Sequence, residues 1–240
     1  MTKHTVVYGE RQITFELIRK NVKNINLSIR PDMSIMVSAN KNVPLEVIEE
    51  FVKQKGSWIC KNLNYFKKFQ PYKKSKKEYV SGESFRYLGR QYRLRVRKSD
   101  IETVKYFRGF IYLYIEDIDD FDKKDKLFKK WLDYRARLHF NESLDRMYKL
   151  IKDYNIPKPE IKIREMKSRW GSCHRHKGVI VLNSELIKTP KYCIDYVVLH
   201  ELIHFLYKYH DNDFYTFLTS LMPDWQRRKR ILDEELIKNL

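Results

Sequence analysis

The chain has only three cysteines in 240 residues, Cys60, Cys173 and Cys193, a number too small and odd for a disulfide framework and one that fits a reducing compartment. No apolar run approaches the roughly 18 residues of a membrane span, and no apolar core near the N-terminus resembles a secretory signal. The expectation is a cytoplasmic protein with no membrane partner. No internal repeat and no clear linker are present, so one compact protein of two lobes is expected, each with enough apolar sequence for a core. Negative charge is also scarce. Against 31 Asp and Glu stand 49 Lys and Arg, a formal net charge of +18, and such an imbalance favours anionic partners.

Apolar periodicity divides the chain into two halves. Ile13, Phe15 and Leu17, then Ile25, Leu27 and Ile29, alternate as strands within residues 1–43, and a helix is expected from Pro44 to Phe69 with Val47, Phe51, Trp58 and Leu63 on its buried side. Short strands fit Ser84–Leu88, Gln91–Val96 and Phe110–Ile115, with glycines at the turns. From Lys124 to Tyr154 the period turns helical, through Leu127, Trp131, Leu138, Leu144, Met147 and Ile151. The expected class is α+β: a β-rich lobe over residues 1–120 with one long helix, then a helical lobe over residues 121–240.

The chemistry concentrates in the second lobe. His200, Glu201 and His204 form an HExxH pattern, which a chain of this composition produces by chance about once in a hundred. At 100° per residue the two histidines share one helical face a turn apart, so both imidazoles can grip a single ion. Glu201 lies about a quarter turn away, where a carboxylate can take the proton of a zinc-bound water. The flanking Val197, Val198, Leu199, Leu202, Ile203, Phe205 and Leu206 describe a buried helix. Two hydrogen-bonded core histidines would show the same pattern.

A third ligand does not follow from helical geometry. On a straight helix His210 would sit about 9 Å beyond His204 and about 120° around the axis. Positions 205–209 contain no glycine to turn the chain back, so the helix is expected to end near Tyr207 to Tyr209, before the capping-prone Asp211, Asn212 and Asp213. The alternative is a carboxylate from a later helix, Glu234 or Glu235. Upstream, Gly178–Asn183 reads as a strand that could hold an extended peptide by edge pairing. Thr189 reads as the cap of the metal helix and Pro190 as its first residue. Cys173, His174 and His176 lack the paired spacing of a structural zinc site.

Arg169-Trp170-Gly171-Ser172-Cys173, Gly178–Asn183, Leu186, Pro190, Ile194–Val198 and the His200–His204 motif, followed by His210, Phe214, Pro223 and Trp225, resemble the YgjP-like predicted zinc metallopeptidases, which are related to the SprT and Wss1-like proteases. Weaker similarity runs through Ile25–Pro31, Val47–Leu63 and Gly82–Gly89. Ile203 and Met33 depart from the pattern, where a small residue and a turn glycine are usual. The resemblance implies a zincin-like second lobe, His200, His204 and His210 as ligands to one Zn2+ per chain, and Glu201 as catalytic base. It implies polypeptide substrates without naming one.

A second class of function rests on charge. From Tyr65 to Lys98 twelve Lys or Arg face two acids, Glu78 and Glu83, and Tyr65, Phe66, Phe69, Tyr72, Tyr79, Phe85, Tyr87 and Tyr92 interleave with them. Such a composition could track phosphates and stack on exposed bases. Gln226–Arg230 adds a second basic cluster. The alternatives to a zinc peptidase are therefore a nucleic-acid-binding protein with a structural or vestigial metal site, or a peptidase acting on proteins bound to nucleic acid.

Overall fold

The structure, a computed structural model, describes residues 2–29, 33–68, 77–166 and 169–238, without the side chains of 65–68 and 235–238. The chain is mixed α+β, with three sheets and six α-helices among the described residues. It divides into two compact units, residues 1–74 with 233–240 and residues 75–232. The sheet that follows residue 80 buries its inner face in the same core as the later helices.

In the first unit, β1 (Thr2–Tyr8) pairs antiparallel with β2 (Arg11–Arg19), β2 runs parallel to β4 (Ile35–Ala39), and β3 (Asn26–Ile29) closes the sheet antiparallel to β4. Alternation along β2 sends Ile13, Phe15 and Leu17 inward, as a period of two requires. The single helix expected over residues 44–69 is two: α1 (Leu45–Gln54) and α2 (Gly56–Lys68). Lys55 ends the first by donating to the Phe51 carbonyl, and Gly56 lies so close to the Tyr8 ring that any side chain there would overlap it. Of the four residues expected on the buried side, Phe51 and Leu63 pack against the core and Val47 and Trp58 do not. Ile48, Val52 and Ile59 are buried, whereas Val47 and Trp58 are exposed. Met33 stands at φ 67° where a turn glycine was the usual residue.

The second unit contains β5 (Ser84–Tyr87), β6 (Arg90–Lys98), β7 (Thr103–Phe107) and β8 (Phe110–Ile115) in the order β5-β6-β8-β7. Its inner face, with Phe85, Tyr87, Tyr92, Leu94, Ile111, Leu113 and Ile115, shares a core with Phe128, Phe140 and Leu144 of α3 (Phe121–Tyr148). Asp120 caps α3 by accepting from the Lys123 amide, 2.9 Å away. A third sheet, β10-β11-β9, is built from β9 (Glu160–Arg164), β10 (Gly171–His174) and β11 (Val179–Asn183). The strand expected to offer a pairing edge, β11, is the central one, so the edge beside it belongs to β10.

α4 (Lys191–Ile203) carries the HExxH pattern and is apolar nearly all round, from Cys193 to Ile203, so it is buried on almost every side. Its entry is fixed by the β5–β6 turn. The amides of Leu88 and Gly89 donate to the Ile187 and Lys188 carbonyls, and at φ 79° Gly89 passes so close to Pro190 that an added Cβ would lie 2.6 Å from the ring. Thr189 does not cap α4. Its hydroxyl donates back to the Leu186 carbonyl, and Pro190 holds the N-cap position. α5 (Asn212–Leu221) and α6 (Trp225–Lys238) follow. Among the described residues no helix is long and apolar enough to cross a membrane.

Candidate metal centre

α4 ends at Ile203, earlier than expected, and His204 occupies its C-cap. The Leu202 and Ile203 carbonyls at this end accept from the Phe205, Leu206 and Tyr207 amides, and side chains hold the turn beyond it: the His204 ring bonds through Nδ1 to the Tyr207 carbonyl at 2.9 Å, and Arg175 donates to the Phe205 carbonyl at 2.8 Å. The chain then turns back, and Asp211 starts α5 by accepting from the Phe214 amide at 3.0 Å. These two boundaries carry His210 back to the helix that precedes it. Its Nε2 lies 2.9 Å from Nε2 of His200 and 3.1 Å from Nε2 of His204.

Three imidazole nitrogens of one kind converging on a point suit a small cation. An ion bound tetrahedrally at about 2.0–2.1 Å from each nitrogen spaces its ligand atoms about 3.3 Å apart, close to the separations here. Because the Tyr207 carbonyl can only accept, His204 carries its proton on Nδ1 and presents a bare lone pair at Nε2. His200 Nδ1 is buried with no hydrogen-bond partner. Burial holds the imidazole of His200 down to a pKa of about 3, with the neighbouring His204, His210 and Lys229 adding to the effect. His204 and His210 are lowered in the same direction, again first by burial. Neutral imidazole is the form that binds metal. Phe214, fully buried, places its ring 4.8–5.0 Å from all three imidazoles and closes one side of the cluster.

Glu201 is 6 % exposed, and its side chain seats against Gly171 of β10. An added Cβ at Gly171 would lie 2.7 Å from Oε1 and 2.8 Å from Cγ of Glu201. Burial pushes the Glu201 carboxyl up to about 8, only partly offset by the Arg169 guanidinium. Burial, then the Glu201 charge, raise the Cys173 thiol to about 12, so it is protonated at neutral pH. Before β10, Met166 and Arg169 are held by Asn183, whose buried amide donates to their carbonyls at 2.8 and 3.0 Å. The sequence offered one signal for this residue, its place in the Leu-Asn pair that ends β11.

The structure thus brings His200, His204 and His210 together with Glu201 beside them. They are the one group of three or more potential ligands among the described residues. Cys173, His174 and His176 do not converge, and Glu234 is not part of the cluster; the side chain of Glu235 lies outside the described residues. Of the aromatics expected to meet nucleic acid, Tyr79, Phe85, Tyr87 and Tyr92 are buried in the core, because they occupy or adjoin inward positions of β5 and β6. Tyr65, Phe66, Phe69 and Tyr72 lie outside the described side chains.

A model of the YgjP-like metallopeptidase domain matches residues 23–235. No curated protein matches the sequence. Among solved structures, the metallopeptidase zymogen abylysin of Pyrococcus abyssi is 23% identical over 41% of this chain and 93% of its own, with a TM-score of 0.36. The zymogen jannalysin of Methanocaldococcus jannaschii is 20% identical over 40% of this chain and 89% of its own, also with a TM-score of 0.36.

Proposed function

The chain belongs to the YgjP-like metallopeptidase family, and from that premise and the histidine cluster we propose that it is a zinc-dependent endopeptidase with His200, His204 and His210 as ligands and Glu201 as general base. The observation that carries this reading is the convergence of three Nε2 atoms beside a buried carboxylate. A divalent ion held there would supply Lewis-acid polarisation of water and of the scissile carbonyl.

The remaining work falls to the chain's own groups. Glu201, seated against Gly171, takes the proton of the attacking water and returns it to the leaving amine. Its raised affinity for a proton in the metal-free protein suits it to hold one between those steps. β10 is the edge strand of its sheet and abuts α4, so an extended polypeptide pairing with its outer edge would be carried past Glu201. The placement of β10, α4 and His210 supports a zincin-like reading of the second unit.

The test is cleavage of casein by wild type and by Glu201→Gln. Removing a general base costs roughly 100-fold or more in turnover, while the histidine cluster is untouched. Equal cleavage by the two proteins would remove Glu201 from the mechanism.

A further inference from the structure

We propose that the outward face of the β5–β8 sheet binds single-stranded nucleic acid. Alternation that buries one side of this sheet turns Arg93, Arg95 and Arg97 of β6 outward, and the register sets them directly beside Phe110, Tyr112 and Tyr114 of the parallel neighbour β8. On the next strand Lys105 and Phe107 share the same face, opposite Tyr112 and Phe110. Every second residue of three adjacent strands is therefore cationic or aromatic, apart from Gln91 and Thr103.

The rings are laid out at a regular pitch. Phe110 to Tyr112 and Tyr112 to Tyr114 are separated by 6.2 and 6.1 Å between centroids; the first pair is tilted at 59° and the second nearly parallel at 16°. Cations hover over them: the Arg95 guanidinium lies 3.7 Å from the Phe110 centroid and Lys105 Nζ 6.0 Å from Tyr114. A fully packed face would be covered, yet Arg93, Arg97, Lys105 and Phe107 are exposed. The face continues into a groove of about 940 Å³ along β7, closed on its far side by Lys130, Tyr134 and Arg135 of α3. The one acid lining it, Glu102, pairs with Lys123 at 2.6 Å.

This combination selects its ligand. Arginines and lysines neutralise phosphates, and ring faces stack on bases, but only bases that are unpaired can lie flat on them. Rings about 6 Å apart match an extended strand whose successive bases each take a separate platform. An acidic peptide would satisfy the cations and leave the aromatics without a role. The proposal is independent of the peptidase reading, since it uses no residue of the histidine cluster.

The experiment is fluorescence anisotropy with a labelled 20-nucleotide oligo-dT, the matching blunt duplex, and poly-glutamate as competitor, on the full chain at 150 mM salt. The single strand is expected to bind at least about tenfold more tightly than the duplex, with affinity falling linearly against log salt. Phe107→Ser and Tyr112→Ser should each weaken binding by about 5- to 100-fold, and Arg93→Glu with Arg97→Glu should also flatten the salt slope. Phe107 is 57 % exposed, so its substitution tests stacking without disturbing the core. Glu201→Gln should bind as wild type. Equal affinity for duplex, displacement by poly-glutamate with the aromatic variants unchanged, or no binding at this salt would each overturn the proposal.

Discussion

Replacing Gly171 by alanine adds one methyl group at the point where β10 supports Glu201. No left-handed backbone is involved, so the effect is steric alone. The new Cβ would lie 2.8 Å from Cγ and 2.7 Å from Oε1, whereas ordinary contact begins near 3.4 Å, so the carboxylate oxygen must retreat by about 0.7 Å to reach it. Glu201 is buried and its helix is packed on nearly every side, which leaves the side chain little room. A displacement approaching 1 Å costs about 100-fold in turnover, and overpacking costs about 1–3 kcal/mol, or about 3–10 °C in Tm for a unit of this size. Metal content should be unchanged, since the histidines are not touched. Gly178→Ala is the control: an added Cβ there meets nothing within 4 Å but sits at φ 61°, so it should cost about 1 kcal/mol in stability and no turnover. The assays are casein cleavage, elemental analysis and thermal melting of each variant. If Gly171→Ala cleaves within about threefold of wild type, a loss of well under 1 kcal/mol, Glu201 is not held against β10 in the working enzyme.

Asn183→Ala removes the donors to the Met166 and Arg169 carbonyls; a loss of about 2–3 kcal/mol is expected by urea denaturation, with cleavage reduced and metal retained, and an unchanged midpoint would show that these residues are held by other means. The raised Glu201 pKa makes a signed prediction for metal-free protein. Unfolded, this carboxyl ionises near 4.5; folded, near 8. Its stability contribution is therefore full below pH 4.5 and is lost as pH rises through 8, so Glu201→Gln should match wild type in stability near pH 4.5 and exceed it at pH 8.5, by at most about 5 kcal/mol. The depressed His200 pKa acts oppositely, removing stability as pH falls from 6.5 toward 3, and cancels in that comparison. Parallel melting curves at both pH values would contradict the burial of Glu201.

The part of the site most legible in the sequence was the part fixed by helical geometry. His200 and His204 share a face because of their spacing, and Glu201 follows from it. His210 was not accessible to that logic, since its approach depends on where α4 stops and on the turn that follows, which Arg175 and the His204 ring hold and Asp211 ends. The expected helix end before Asp211, Asn212 and Asp213 favoured His210 over Glu234 or Glu235, and the family resemblance added to that preference. β10 reads as a tight turn from Trp170-Gly171-Ser172-Cys173, whose small residues carry little strand signal; its reason for being small is the carboxylate it faces. Alternation located β2, β3, β5, β6 and β8 well, but the same stretch of alternation was misread for aromatics: Tyr87 and Tyr92 point into the core while Arg93, Arg95 and Arg97, which follow on β6, point out. The break between α1 and α2 follows from the approach of Tyr8, a contact distant in sequence.

The most direct test of the central claim is metal content. Elemental analysis of purified wild type should give about one zinc per chain, and His200→Ala, His204→Ala and His210→Ala should each lose it, as expected when three imidazoles complete one site. Glu201→Gln should keep its zinc and lose cleavage. Wild-type protein that neither carries nor takes up zinc, or a His210→Ala variant that binds it as tightly as wild type, would contradict the three-histidine centre.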